Sequence, residues 1–329
     1  MRVLIATRMY PTPRRPVFGT FVRTQVEALR AAGVDLELLV ADGDQGSFDA
    51  YRHALARIRQ VARECSADII HAHFCYPGVV ARAQRTLPVV VTFHGSDLLG
   101  DIGPDGTLTT RGLAQRSIGR RLTRYIDAAI VQSDQMVREV ASRTPVYVIP
   151  HEVDLTVFRP MPRAQVCAQL GLDAGRTRLL FAADPAIPVK GFPFAQAVVA
   201  GLRRTHGIDL DLHVVHRDTQ ESLAMQMSAS DVLIFPSFQE GSPNIIKQAM
   251  ACGLPLVTTD VGDVRERVAS ASGCLILPRV ESAFIDAIVT LLERPERTDA
   301  RSCLHDLEPQ AVARRIIGVY EDVLTRWRS

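Results

Sequence analysis

Lysine is almost absent from this chain of 329 residues: of its 38 basic residues, all but Lys190 and Lys247 are arginine. A guanidinium is a planar fork, whereas an ammonium is a compact point charge that fits among phosphate oxygens. A chain that avoids lysine yet keeps it at two positions draws attention to both. Cysteine is sparse and scattered, at 65, 75, 167, 252, 274 and 303 with no CxxC pair. That argues against a zinc or disulfide framework and reads as small apolar residues in a reducing compartment. No apolar run approaches the ~18 residues of a membrane span, and the opening MRVLIAT is too short for a secretory signal core. These absences predict a cytoplasmic protein, with peripheral contact at the inner membrane face as the remaining membrane role. A net charge of +2 without a Lys/Arg-dense run gives no reason to expect nucleic acid.

What is present is ample apolar content, 47%, in a length that suggests two domains. Short β-branched runs recur at 3–7, 36–41, 68–73, 88–94, 128–133 and 145–150. Stretches of helical spacing separate them, such as 19–33, where Phe21, Val22, Val26 and Leu29 share a face. The rhythm pauses over 151–177 and restarts with runs at 178–183, 211–216, 231–237, 255–259 and 274–278. Strands alternating with helices predict an α/β chain of two doubly wound parallel-sheet domains facing a cleft, residues 1–160 and 161–307. An amphipathic helix over 308–329 closes the chain and is expected to pack back across the domains.

In such sheets ligands gather beyond the C-terminal strand ends. Four turns fall there: FGT (18–20), HGSD (94–97), VKG (189–191) and EGSPN (240–244). In EGSPNIIKQAMACG (240–253), Ser242 suits a helix cap, Pro243 the first helical position and Gly253 the residue past the end. The spacing predicts a helix of about three turns whose opening amides can receive an anion, with Glu240 beside them. Taken alone, Glu240 reads as a carboxylate favouring a helix start and His94 as a satisfied strand-end histidine. His71 and His73 alternate on one strand face as a packed or cleft-lining pair, short of a zinc site for want of a third ligand. Asp42–Asp44 imitates a metal motif but reads as a surface turn. The Arg-rich segment 51–65 reads as a solvated helix face or as one that lies on anionic lipid.

The stretch DVLIFPSFQEGSPNIIKQAMACGLPLVTTDVGDVRE (231–266) resembles the donor-site signature of glycosyltransferase family 4, retaining enzymes with the GT-B fold of two Rossmann-like domains. The likeness extends through GTFVRTQVEALRAAG, HAHF with VVVTFHGSD, PHEVDLTVFRP and VARRIIGVYEDVL. It implies a hexosyltransferase of carbohydrate biosynthesis using a nucleoside diphosphate sugar, UDP- or GDP-linked, and a glycan, lipid-linked or small-molecule acceptor, with no cofactor and no metal. His94, Glu240 and Lys190 are its implied catalytic residues: His94 facing the reacting sugar, Glu240 on a sugar hydroxyl, Lys190 on phosphate. Gly19 approaches the pyrophosphate in the same reading. Gly241, Ser242, Pro243, Asn244 and Gln248 complete the donor side, and Asp97, Arg14 and Arg15 the acceptor side.

Three positions depart from the family pattern. Gln248 stands where a ribose-binding glutamate is expected, which exchanges a charge-assisted bond for a neutral one. AAD (182–184) replaces Gly-Arg, so a phosphate-binding cation is missing, and Arg217 is the candidate substitute. PHEVD (150–154) replaces Pro-Asn-Gly-Val-Asp. The alternative these raise is a non-catalytic GT-B scaffold that binds a sugar or a partner transferase; a sugar-nucleotide epimerase is remoter.

Overall fold

The computed structural model describes residues 1–40, 48–268 and 271–329, so Asp42–Asp44 lies outside the described residues. The chain divides into two compact units: Met1–Asp101, Leu108–Glu152 and Pro309–Ser329 form the first, and Ile102–Thr107 with Val153–Glu308 form the second.

The first unit carries a parallel six-stranded sheet of β1 (Arg2–Thr7), β2 (Asp35–Val40), β3 (Ile69–His73), β4 (Val89–Thr92), β5 (Ala128–Val131) and β6 (Val146–Val148) in the order β2-β1-β3-β4-β5-β6. Every residue of β3, β4 and β5 is buried, as strands covered on both faces require, whereas the edge strand β2 alternates. In α1 (Thr20–Ala31) Val22, Val26 and Leu29 turn inward, and Phe21 is only half-buried. The closing helix α13 (Pro309–Arg328) packs against α1 and buries Val312, Ile316, Val319, Tyr320 and Val323, an i, i+4, i+7 stripe. The Arg-rich segment lies in α2 (Phe48–Glu64), where Arg59 donates to the Ala83 carbonyl and Arg63 to that of Arg59.

The second unit has a parallel sheet of β7 (Thr177–Phe181), β8 (Leu210–Val214), β9 (Val232–Phe235), β10 (Leu256–Thr258) and β11 (Cys274–Ile276), ordered β11-β10-β9-β7-β8. Its core joins Leu179, Phe181 and Ile234 of the sheet to Val198 and Leu202 of α8 (Phe192–His206) and to Phe284 and Ile288 of α12 (Glu281–Glu293). Full burial of each such side chain stabilises by about 1.5–3 kcal/mol. Strand order reverses between β1 and β3 in one unit and between β7 and β9 in the other. Those are the points where open α/β sheets take ligands. Among the described residues no helix is long and apolar enough to cross a membrane.

Two helical glycines separate a tight contact from an empty one. A Cβ on Gly119, within α5 (Thr110–Leu122), would overlap the Asp97 carbonyl oxygen, whereas one on Gly318 in α13 meets nothing within 4 Å. Gly119→Ala is expected to destabilise by about 2–3 kcal/mol through overpacking. Gly318→Ala should instead stabilise by about 0.5–1 kcal/mol. Urea unfolding of both variants checks this, and equal shifts would contradict it.

Candidate functional site

In the second unit the chain leaving β7 runs through a 3-10 turn, Pro188–Lys190, into α8, while the chain leaving β9 runs through EGSP into α10 (Asn244–Ala251). The two exits are stapled where the Phe238 amide donates to the Val189 carbonyl at 2.9 Å. Lys190 Nζ then lies 2.7 Å from Glu240 Oε1, and the Ser237 hydroxyl donates to the same oxygen at 2.7 Å. Glu240 Oε2 has no hydrogen-bond partner among the described residues. The Lys190 ammonium also lies 5.8 Å from the centroid of the Phe235 ring. Gly191, at φ 73, must be glycine, since a Cβ would sit 2.5 Å from the Pro236 carbonyl oxygen. With side chains only 25% and 14% exposed, Lys190 and Glu240 hold each other more firmly than a surface pair while staying within reach of a ligand.

The helix start differs from the sequence expectation. Helix α10 spans two turns rather than three, and Pro243 occupies the capping position ahead of the first helical residue. Ser242 does not cap: its hydroxyl donates to Asp263 Oδ2 at 2.8 Å and lies 3.1 Å from Lys247 Nζ. A capping hydroxyl would accept from a backbone amide, and here the Lys247 ammonium donates to it instead. Lys247 is 1% exposed, so its charge is held inside, under the EGSP turn. Of the two lysines, one faces the site and the other braces it. Gly253 does take the left-handed conformation past the end, at φ 68. At the helix start Asn244 Oδ1 is buried with no partner among the described residues, and half-buried Gln248 follows one turn later on the same face.

Arg217 does not supply a second site cation. Its guanidinium is 3.5 Å from Asp184 Oδ2 and its side chain is 78% exposed. Asp184 is thereby engaged, with His216 Nδ1 a further 3.9 Å neighbour. The cation packed beside the Lys190 turn is instead Arg279, which donates to the Pro236 carbonyl and stacks 3.8 Å over the Phe238 ring and 4.6 Å over Phe194. Sequence reading missed Arg279, which follows β11 with no motif around it.

In the first unit four histidines form a row. His71 Nδ1 is 2.6 Å from the Tyr320 hydroxyl and its Nε2 2.7 Å from Thr92 Oγ1. His73 packs on His71 at 4.6 Å between ring centroids and contacts His94 at 3.1 Å, Nδ1 to Nε2. His94 Nδ1 in turn meets His151 Nε2 at 2.9 Å, the rings stacked within 10°. Both ring nitrogens of His94 are thus held by imidazoles, so the histidine expected to face a sugar has none to spare. Burial depresses the basicity of His71 and His94 well below the usual imidazole value and that of His73 to about 3, which keeps these three neutral. Phe74 stacks on His94 at 4.1 Å with φ 74 and ψ 159, a conformation nearly confined to glycine and found mostly at functional sites.

Gly19, at φ 76, opens α1 and leaves no room for a Cβ against the Met9 carbonyl. Arg14 and Arg15 are exposed, Arg15 lying 5.6 Å from the Phe18 ring. Asp97 is not presented as an acceptor contact. It is fully buried, and its Oδ1 accepts from the amides of His94 at 2.9 Å and Gly95 at 3.0 Å, so it shapes the His94 turn.

Each unit is a parallel α/β sheet with its own strand-order reversal, and the second carries the Lys190–Glu240 pair there. Glycosyltransferase Family 4 matches residues 18–157, and Glycosyl transferases group 1 matches residues 177–294. The chain belongs to the family 4 glycosyltransferases of GT-B type. It is 22% identical to TuaC of Bacillus subtilis, named as a teichuronic acid biosynthesis glycosyltransferase, over 88% of either chain. It is 28% identical to a D-inositol 3-phosphate glycosyltransferase of Arthrobacter, over 73% of this chain and 66% of that protein. Among solved structures, sucrose-phosphate synthase from Thermosynechococcus elongatus matches with TM-score 0.82 at 18% identity, covering 99% of this chain and all of that one. HepE of Anabaena, solved with UDP and glucose, matches with TM-score 0.71 at 16% identity, over 98% of this chain and 100% of that one.

Burial pushes the Asp97 carboxyl up from 3.8 to about 7, although the amides of His94 and Gly95 pull it down. A carboxyl raised on folding stabilises while protonated, and that contribution fades as pH rises through the folded value. Asp97→Asn should therefore match the parent near pH 4 and gain stability over it up to about pH 7, by at most about 4 kcal/mol. Urea midpoints across that range check it, and a pH-independent difference would contradict it.

Proposed function

We propose that the protein moves a hexose-type sugar from a nucleoside diphosphate to an acceptor hydroxyl with retention of configuration and without a metal. The observation that carries this is the Lys190–Glu240–Ser237 cluster beside the unpartnered Asn244 at the start of α10. Breaking the anomeric C–O bond leaves positive charge on the sugar and negative charge on the departing phosphate. Preorganised donors aimed at that phosphate lower the barrier. Lys190 has three N–H groups, so it can keep Glu240 and still donate to phosphate oxygens. The amides of Asn244 and Ile245, at the positive end of α10, add to the same potential. Glu240 Oε2 then accepts a sugar hydroxyl, and Gln248 reaches the ribose through a neutral amide.

Retention follows if the acceptor oxygen bonds to the anomeric carbon on the face the phosphate leaves, its proton passing to a phosphate oxygen. His94 joins such a reaction only when His73 or His151 releases one of its ring nitrogens. HepE was solved with UDP and glucose, which makes a UDP-sugar the first donor to test. The relatives named for inositol 3-phosphate favour a polyol or glycan hydroxyl near an anionic group as acceptor, which Arg14 and Arg15 suit.

Calorimetric titration with UDP, GDP, ADP, TDP and CDP tests the donor site. One nucleotide should bind well, and Lys190→Ala should weaken it about 10- to 100-fold, the effect of a lost charge-assisted bond. Glu240→Gln should keep nucleotide affinity within about twofold while lowering turnover by about a hundredfold or more, because its partner is the sugar. Equal, weak binding of all five nucleotides by parent and Lys190→Ala would refute the assignment.

A further inference from the structure

On the first unit, α3 (Cys75–Arg82), α5 and the end of α13 leave an apolar surface uncovered. Val79, Ile118, Tyr125 and Trp327 are exposed to 43%, 38%, 54% and 48% and line one groove of about 560 Å3. A second hollow on the neighbouring side of α5 begins at Leu113, 51% exposed, and shares Arg121 with the first, so the two are continuous.

The charge around this surface has one dominant sign. Residues 110–125 hold five arginines and no carboxylate. Arg116 and Arg120 pair with Glu139, and Arg82 donates to the Tyr125 carbonyl. Arg85, Arg121 and Arg124 have no ion pair among the described residues. The nearby carboxylates are Glu139, paired with its two arginines, Asp127, which accepts from the Val89 amide, and Asp322, which accepts from the Tyr147 hydroxyl, and the arginines outnumber them. A dispersed sequence pattern thus becomes a basic rim only when α5 winds its arginines around Ile118 and Tyr125.

We propose that this face docks onto an anionic lipid surface, with Trp327 and Tyr125 at headgroup depth and Arg85, Arg121 and Arg124 on lipid phosphates. Two physical arguments favour lipid over a protein partner. Indole and phenol rings, apolar with one polar handle, partition to the bilayer interface. The centre of a protein interface excludes charge, whereas here unpaired guanidiniums alternate with the apolar side chains, as on interfacial helices. The proposal does not depend on the transferase reading.

Trp327 is the chain's single tryptophan, so its fluorescence reports on the patch alone. With vesicles of phosphatidylcholine containing phosphatidylglycerol, its emission should shift to the blue and be quenched by brominated acyl chains. Pure phosphatidylcholine should do neither. At about 1 kcal/mol for each basic residue near an anionic surface, reversing two charges in Arg121→Glu/Arg124→Glu should weaken vesicle partition about a hundredfold or more. Arg204→Glu, an exposed control on α8 of the second unit, should leave partition within a few-fold of the parent. Unchanged emission with anionic vesicles would overturn the proposal, as would equal partition of the double variant and the parent. So would a blue shift that tracks protein concentration without lipid, which would mean a second copy covers the patch.

Discussion

The second unit depends on one contact, the meeting of the chain leaving β7 with the chain leaving β9. Parallel topology brings those two exits side by side because β8 and β10 lie on opposite sides of them. Close approach then demands glycine at 191, and the approach sets Lys190 against Glu240. A similar constraint acts one strand further on, where Gly262, at φ 60, brings the chain after β10 against the Gly241 carbonyl. The carboxylate is therefore fixed by backbone on two sides and by Ser237 from beneath. A charged side chain held this way has little reorganisation left to undergo when a ligand arrives, which is the condition under which electrostatic stabilisation is most effective.

The first unit reaches order by a different route, the suppression of charge. Four imidazoles in contact cannot all be protonated, and burial removes the solvent that would stabilise any one of them as a cation. A neutral ring donates from one nitrogen and accepts at the other. The bonds that join His73, His94 and His151 therefore share one direction along the row. By the resemblance drawn from the sequence, His151 replaces the asparagine of the family motif, and Phe74 and Phe21 pack around the rings. The departure noticed as a lost glycine at 152 is thus accompanied by a gain at 151, a second imidazole stacked on the first.

The alternation of strands and helices was legible in the sequence because each strand is a short apolar run between helical stretches, and every expected run overlaps an observed strand. The meeting of Lys190 with Glu240 was legible for a different reason: VKG and EGSPN both fall at strand C-terminal ends, where the chain exits come together. Arg279, Phe74 and the joining of the His71–His73 pair to His94 and His151 were not, because nothing local marks a residue whose partners arrive from other strands. Ser242 was misread since a serine before a helix usually caps it, and only the fold brings Asp263 within reach. Arg217 was misread for the opposite reason, as its neighbour Asp184 was visible but not their pairing.

That pairing also changes the weight of the two departures that point away from catalysis. Asp184 repels a diphosphate only as an uncompensated charge, and Arg217 with His216 beside it compensates it. In the proposed donor site Gln248 gives up a charge-assisted bond to ribose, worth about 1 kcal/mol more than a neutral one. It also removes a negative charge from the neighbourhood of the phosphates. At about 8 Å and an effective dielectric of about 20, that repulsion is worth about 2 kcal/mol for each phosphate charge. The two effects oppose each other, and over the charges of a diphosphate the relieved repulsion is the larger. A glutamine at this position is therefore compatible with the proposed donor site.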